Sequence, residues 1–152
     1  MTERGNKLRA TLQTHGLRYS RPREVILNFF SERDLHVSTE ELYVALKQRG
    51  ENLSLSTVYL NLGVLKQAGL VREFGGVGGE ALYDSNTGPH HHLICTCCGA
   101  ILDLPDIVVS NATLTTLLKR QAELSSGWQV DEPNLDLQGV CPTCQTKCNP
   151  PE

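Results

Sequence analysis

Four of the six cysteines in this 152-residue chain form two pairs with the same spacing, Cys95-x-x-Cys98 and Cys141-x-x-Cys144. Four thiolates arranged in two such pairs can surround one ion as a tetrahedron, which is the chemistry of a closed structural zinc site. The sequence between the pairs is longer than in ordinary zinc ribbons, so the chain must fold back to bring them together. We therefore predict one structural zinc ion bound by these four residues.

Three consecutive histidines precede the first cysteine pair. In a strand, His90 and His92 point to one face and His91 to the other, so we expect His91 to face solvent. A hairpin closed at the cysteine turn pairs Asp103 with His92, and Asp84 can reach the same space from the preceding segment. Two imidazoles and two carboxylates form a mixed nitrogen and oxygen ligand set, suited to iron, manganese, zinc or nickel. The alternative is that these histidines are only exposed polar residues at a sheet edge.

An enzyme is the main alternative from a different class, either a zinc hydrolase or a metal-dependent redox enzyme. The sequence contains neither the H-x-E nor the P-C-x-x-C motif of zinc deaminases. A thioredoxin-type redox motif needs a βαβ context, which is absent here. We interpret Cys97 and Cys148 as thiols outside the ligand set, assign no catalytic residue, and predict a protein that is not an enzyme.

The first half of the chain has the periodicity and the capping residues of helices followed by a hairpin. Ser38 and Glu41 form a capping box that begins one helix, and Ser54 and Gly69 bound the next. Helices and a hairpin in this order are typical of a winged helix-turn-helix, whose third helix enters the DNA major groove; a helical protein-interaction domain is the alternative. The predicted helices span 3–14, 21–31, 38–50 and 55–68, and the predicted hairpin strands span 70–74 and 80–84.

The helix over 55–68 divides its residues between an apolar side and an outward side. The apolar side consists of Leu55, Val58, Leu62 and Leu65. Small and polar residues on the outward side fit a close approach to DNA, and a cluster of basic residues lies near the start of the chain. The predicted DNA-contacting residues are Arg18, Arg21, Arg23, Ser56, Thr57, Tyr59 and Leu60.

Charge is distributed unevenly along the chain. Residues 1–75 carry 11 Lys and Arg against 8 Asp and Glu, whereas residues 76–152 carry 3 against 9. A basic first half suggests an anion-binding domain joined to a second domain with another task, although a solvated charged surface is the alternative. The sequence has no apolar run of membrane-spanning length and no export signal, so we expect a cytoplasmic protein without a membrane partner.

The second half predicts a small α/β unit of two strands, a helix over 106–125 and a last strand before Cys141. Such a unit is too small to cover its own sheet and helix, and dimerisation through it solves the problem. The predicted fold class is α+β, with an N-terminal winged helix-turn-helix DNA-binding domain and a C-terminal α/β dimerisation domain that contains the four-cysteine zinc site. The predicted bounds are 1–83 for the DNA-binding domain, 84–89 for the linker and 90–152 for the dimerisation and metal-binding domain.

Five stretches of the sequence, taken in order, carry a resemblance to a known family. They are GLRYSRPREVIL, HVSTEELYVAL, LSLSTVYLNLGVLKQAGLVREF, HHHLICTCCGAILDL and GVCPTC. Over roughly residues 7–146 the chain resembles the ferric uptake regulator family of metal-dependent transcriptional repressors. The resemblance implies a homodimer that joins two winged-helix domains to a zinc-containing core and binds a palindromic operator in double-stranded DNA.

The resemblance also implies a regulatory metal site. It assigns a ligand role to His36, which spacing alone suggests is a surface residue. The aspartates of the implied set match the peroxide-responsive branch and favour Mn²⁺ or Fe²⁺, with Zn²⁺ or Ni²⁺ as alternatives for a regulator of the same family. An ion bound by the DNA-binding domain, the linker and the core would couple to operator binding. The implied regulatory ligands are His36, Asp84, His90, His92 and Asp103.

Two departures from the family pattern affect these expectations. The recognition helix contains VYLNL, where relatives usually have an arginine at the position of Leu60, so we expect a different choice of operator. Pro89 and His91 stand where many relatives carry ligands of a further metal site, so we expect one structural and one regulatory site per chain. A zinc-ribbon interaction module, whose binding would not depend on His36 or His90, is a third hypothesis.

Overall fold

The computed structural model describes residues 3–32, 34–131 and 133–148, which divide into two compact units at the Thr87–Gly88 bond. This bond lies within the predicted linker. Within the described ranges, no helix has both the length and the apolar character needed to cross a bilayer. The first unit consists of α1 (Glu3–Thr14), α2 (Arg21–Phe30), β1 (His36–Ser38), α3 (Thr39–Gln48), α4 (Leu55–Gln67), β2 (Arg72–Gly75) and β3 (Ala81–Asp84). The second consists of β4 (His90–Cys95), β5 (Ile101–Pro105), β6 (Val108–Val109), β7 (Ala112–Thr113), α5 (Leu114–Ser126), β8 (Asp136–Gly139) and α6 (Pro142–Cys148).

Serine caps begin three helices of the first unit. Ser20, Ser38 and Ser54 precede α2, α3 and α4, and each side chain accepts a hydrogen bond from a backbone N–H three residues later. Glu41 completes the predicted capping box at α3. Gly69 adopts a φ of +76° just after α4, a conformation that glycine adopts without steric cost. These helices therefore form close to their predicted bounds.

The apolar core of the first unit lies between its four helices and β3. Each fully buried leucine or isoleucine contributes about 1.5–3 kcal/mol relative to an exposed position. Leu55, which was predicted to lie on the apolar side of α4, is instead 41% exposed because it is the first residue of the helix. The fully buried side chains include Leu12, Ile26, Leu42, Leu62 and Leu65.

The predicted hairpin of the first unit, formed by β2 and β3, is joined by a third strand, β1. The sheet order is β1–β3–β2, and β3 runs antiparallel to both neighbours. His36 in β1 pairs with Asp84 at the end of β3. The interpretation of His36 as a surface residue was therefore wrong, since its side chain is only 14% exposed.

The sheet of the second unit has β4 at its centre. β5 pairs with β4 antiparallel and β8 pairs with it parallel. His92 lies opposite Asp103 on β5, as the hairpin register predicts, and opposite Asp136 on β8. Carboxylates on both neighbouring strands therefore flank His92.

The helix predicted over 106–125 begins too early in the chain. Its first residues form the β6–β7 hairpin, whose two-residue turn has φ of 49° at Ser110 and 69° at Asn111. Consecutive β-branched residues favour the strand before this turn. Helix α5 starts only after Thr113, whose hydroxyl caps the first turn.

The second unit buries few apolar side chains. Among its described residues, the buried apolar set is Ile94, Cys95 and Cys144. Helix α5 buries none of its residues although it is amphipathic. A unit with so small a core depends on other sources of stability, such as a bound metal or a partner chain.

Candidate metal centres and nucleic-acid interface

Four cysteine sulfurs converge at one end of the β5–β4–β8 sheet. Cys95 ends β4, Cys98 follows on the next turn, Cys141 lies directly before α6, and Cys144 lies in its first turn. Each of the four sulfur atoms lies within 4.8 Å of the others, and Cys98 Sγ is 3.8 Å from Cys141 Sγ. Zinc bonds of about 2.3 Å in a tetrahedron separate the sulfur ligands by about 3.8 Å. The cluster therefore has the size and the donor type of a zinc site.

The four thiols have unequal electrostatic environments. The backbone N–H of Cys141 donates to Cys95 Sγ at 3.3 Å and, with further backbone donors from Cys98 and Cys97, lowers the pKa of Cys95 to about 6. Hydrogen bonding with Cys141 and Cys98, together with burial, raises the pKa of Cys144. A bound cation would lower the pKa of all four thiols, because it stabilises each of them as a thiolate.

The two other cysteines were predicted to lie outside this ligand set. Cys97 is exposed on the turn after β4 and is not among the four converging sulfurs. The prediction for Cys148 concerns a side chain outside the described part of the structure.

Three further ligand atoms meet at the start of β4. His90 Nε2 lies 3.0 Å from His92 Nε2, and the two rings are almost perpendicular. Asp103 Oδ1 lies 3.8 Å from the first nitrogen and 3.5 Å from the second. Both histidines are buried. Their nitrogens and one carboxylate oxygen therefore face a common point.

Hydrogen bonds at the opposite ring nitrogens determine the tautomers of these histidines. His90 Nδ1 lies 2.7 Å from the Gly88 carbonyl oxygen, which can only accept, so Nδ1 carries the proton. His92 Nδ1 lies 3.1 Å from Asp136 Oδ1, which likewise acts as the acceptor. When both rings are neutral, their Nε2 lone pairs face each other at 3.0 Å, and a bound cation stabilises this arrangement. Ligand histidines oriented by an outer carbonyl and an outer carboxylate are typical of metal sites.

Asp136 was not predicted as a functional residue, although its Oδ1 contacts the Nδ1 of His92. We expect this contact to give Asp136 a positioning role at the histidine site. Asp136→Ala should weaken Mn²⁺ binding at the histidine site about 10- to 100-fold, since outer-shell partners have effects of this size. Calorimetric titration of zinc-loaded protein with Mn²⁺ measures the change. Asp131→Ala removes an exposed carboxylate of the same unit and should leave the affinity unaltered. Equal affinities for the two variants would contradict the positioning role.

His91 was predicted to face solvent, and this prediction is wrong. The side chain is buried, and its Nε2 lies 3.2 Å from Asp106 Oδ1. The N–H of Leu135 approaches its other ring nitrogen at 3.3 Å. Asp106 also accepts from the backbone N–H groups of Thr115 and Ile107. Burial raises the pKa of Asp106, but the hydrogen bond with His91 and those from the backbone outweigh it, so the pKa is lowered. His91 therefore links β4 to the segment before α5 on the opposite face from His90.

The first unit contains its own pair of possible metal donors. His36 Nε2 lies 3.5 Å from Asp84 Oδ2, and Asp84 is completely buried. The other oxygen of Asp84 accepts from the N–H of Asn86 at 2.7 Å. A buried carboxylate is costly unless hydrogen bonds or a positive charge compensate it. This pair therefore has the chemistry of a partial metal site within the first unit.

The predicted DNA-contacting residues of α4 all lie within its first two turns. Tyr59 and Leu60 are 67% and 65% exposed. Ser56 is exposed and Thr57 half-buried, and both hydroxyls contact the capping hydroxyl of Ser54, at 3.0 and 2.8 Å. The structure therefore places the four α4 residues on one helix, with Tyr59 and Leu60 extending furthest into solvent.

The three predicted arginines lie before and within α2, where two of them contact other protein groups. Arg21 forms ion pairs with Glu51 at 3.1 Å and with Glu24 at 3.2 Å. The negative charge of Glu51 is the main cause that raises the pKa of Arg21. Arg23 donates to the carbonyl oxygen of Arg18, which is itself an exposed residue. Their contact with DNA stays a prediction, since exposed ion pairs contribute little and can exchange for phosphate.

Comparisons with known proteins identify the family. Residues 14–130 match the model of the Ferric uptake regulator family. The chain is 31% identical over 138 residues to the peroxide-responsive repressor PerR of Staphylococcus aureus (strain Mu50 / ATCC 700699), a match that covers 91% of this chain and 89% of the relative. Among solved structures, the Vibrio cholerae ferric uptake regulator has a TM-score of 0.68 at 29% identity, covering 88% of this chain and 98% of that one. The Pseudomonas aeruginosa regulator solved with manganese has a TM-score of 0.66 at 29% identity, covering 89% and 98%. The chain therefore belongs to the ferric uptake regulator family of metal-dependent repressors.

Proposed function

We propose that the protein represses genes of metal homeostasis or of the peroxide response by binding a palindromic operator as a homodimer when its regulatory site holds Mn²⁺ or Fe²⁺. The observation that carries this proposal is the pair of opposed Nε2 atoms of His90 and His92, 3.0 Å apart beside the carboxylate of Asp103. A nitrogen pair with both outer ring positions already hydrogen-bonded is suited to coordinate an ion.

The proposed regulatory ion takes His36 and Asp84 from the first unit and His90, His92 and Asp103 from the second. Within each unit these donors are already adjacent. Imidazole and carboxylate donors without a thiolate suit Mn²⁺ and Fe²⁺, while Zn²⁺ and Ni²⁺ are the alternatives. The similar Pseudomonas aeruginosa regulator was solved with manganese.

We assign Zn²⁺ to the cysteine cluster as a structural ion. Four sulfur ligands leave no open coordination position, which is the arrangement of a structural rather than a catalytic zinc site. The small buried core of the second unit explains why a structural ion is needed there.

The second unit is also the proposed dimerisation surface. Its sheet and α5 leave large apolar side chains exposed, among them Leu102 at 61% and Leu124 at 73%. A groove of about 360 Å³ along the sheet is lined mainly by apolar residues, including Leu93 and Leu137. Exposed apolar surface of this extent favours burial against another chain, and a second copy gives the two-fold symmetry that a palindromic operator requires.

Metal and DNA binding are coupled in this proposal because the regulatory ligands come from both units. An ion bound by both units restricts their relative orientation. If the restricted orientation matches the spacing of the two half-sites, each ligand increases the affinity for the other by the same factor.

The experiment that tests the proposal measures DNA affinity in a panel of metals. Duplexes are first selected from a random library with zinc-loaded, Mn²⁺-saturated protein, and fluorescence anisotropy is then recorded with Mn²⁺, anaerobic Fe²⁺, Zn²⁺, Ni²⁺ or none. We expect Mn²⁺ or Fe²⁺ to tighten binding by about 5- to 150-fold. Light scattering should give a mass near twice the 16.8 kDa of one chain. A DNA affinity that is independent of all four ions would contradict the proposal of a metal-dependent repressor. An increase in DNA affinity with Zn²⁺ or Ni²⁺ alone would favour that ion as the regulatory metal.

A further inference from the structure

The outward side of α4 presents apolar surface at its centre. Leu60, the sixth residue of this 13-residue helix, is 65% exposed, and Tyr59 beside it is 67% exposed. An open groove of about 590 Å³ runs along this side of the helix. Its lining consists of Glu40, Leu55, Ser56, Tyr59, Leu60 and Gly63. The small residues Ser56 and Gly63 leave Leu60 accessible to a partner.

The polar groups of α4 are largely engaged within the protein. The hydroxyls of Ser56 and Thr57 contact the capping hydroxyl of Ser54 at 3.0 and 2.8 Å. Lys66 is the basic residue of the helix, and its Nζ lies 2.7 Å from a carboxylate oxygen of Glu73. The centre of the outward side is therefore suited to apolar contacts rather than to bidentate hydrogen bonds with base edges.

We infer that Leu60 reads the methyl group of a thymine in the operator and is thereby a specificity-determining residue. The inference rests on the proposed function, because it requires α4 to enter the major groove. Thymine is the base that presents a methyl group there, whereas cytosine has only a hydrogen at the same ring carbon and the purines present hydrogen-bonding groups at N7 and at the exocyclic position. A leucine side chain gains apolar contact by burying the methyl group, and it cannot pair with the N7 of a purine or the amino group of cytosine, so it favours thymine.

A cycle of protein and DNA substitutions isolates this contact. In the selected duplex, each thymine is replaced in turn by deoxyuridine, which lacks only the methyl group. For the wild-type protein with Mn²⁺, we expect one thymine per half-site at which this change weakens binding about fourfold, the effect of one buried methyl group. Leu60→Ala should bind the parent duplex more weakly and should lose the uracil penalty at that thymine. Leu60→Met, which keeps an apolar side chain of similar volume, should retain the penalty.

The outcomes separate this inference from the proposed function. Leu60 is mostly exposed, so both variants should fold, which thermal unfolding verifies. If the wild type shows no metal-dependent binding to any duplex, the proposed function and this inference both fail. If metal-dependent binding is intact but the uracil penalties of wild type and Leu60→Ala agree at every thymine, only the role of Leu60 is overturned.

Discussion

Cys144→Ser is expected to unfold the second unit. Ile94, Cys95 and Cys144 are the buried apolar side chains among its described residues, so hydrophobic burial contributes little to its stability. Structural zinc in small domains supplies on the order of 10 kcal/mol of apparent binding free energy. This is comparable to the total stability of about 5–15 kcal/mol of a typical domain. Loss of one thiolate therefore removes the largest stabilising contribution that we assign to this unit.

Zinc analysis and thermal unfolding by circular dichroism measure this effect. We expect the tightly bound zinc to be lost and the unfolding transition of the second unit to disappear, while the first unit still unfolds cooperatively around its own core. Cys97→Ser is the matched control. It changes an exposed thiol beside the cluster but keeps the backbone N–H that donates to Cys95. A Cys144→Ser protein that retains its zinc would contradict the assignment.

His92→Ala is expected to abolish the response of DNA binding to Mn²⁺ or Fe²⁺. The Nε2 of His92 lies 3.0 Å from that of His90 and 3.5 Å from Asp103 Oδ1. The substitution therefore removes the donor that lies close to both other donors of the second unit. A coupling free energy of about 1–3 kcal/mol corresponds to a loss of about 5- to 150-fold in affinity at saturating metal. The zinc content should stay unchanged, because the cysteine cluster uses other residues.

Anisotropy titrations with and without Mn²⁺ measure this loss, and His15→Ala serves as the control. His15 follows α1, where its Nδ1 lies 2.8 Å from the carbonyl oxygen of Thr11, and no proposed site includes it. The control should keep the full metal response. A wild-type response in His92→Ala would remove His92 from the regulatory site.

Features set by short segments of sequence could be predicted. Serine caps and a capping box define the helices of the first unit. The pairing of His92 with Asp103 follows from a short hairpin closed at the cysteine turn, because few registers are compatible with so short a turn. The C-x-x-C spacing likewise identified four cysteines that the fold brings together.

Features that depend on distant segments could not be predicted in this way. Asp136 reaches His92 because β8 pairs parallel to β4, and no local pattern specifies that register. His91 is buried because Asp106 and the N–H of Leu135 lie on its face, which alternation along one strand cannot reveal. His36 needed the resemblance to a family, since its pairing with Asp84 joins strands far apart in the chain.

Strand β4 has a further consequence for the order in which the protein loses function. Its first residue, His90, belongs to the proposed regulatory site, and its last residue, Cys95, belongs to the cysteine cluster. At about 3.3 Å per residue, these two ends are about 17 Å apart on one continuous strand. We therefore expect the two sites to be lost in a fixed order. Loss of zinc from the cysteine cluster should unfold β4 and with it the proposed regulatory site, whereas loss of the regulatory ion should leave the cysteine cluster and β4 folded. Thiol oxidation and depletion of the regulatory ion would then both relieve repression, but restoring the regulatory ion would reverse only the second.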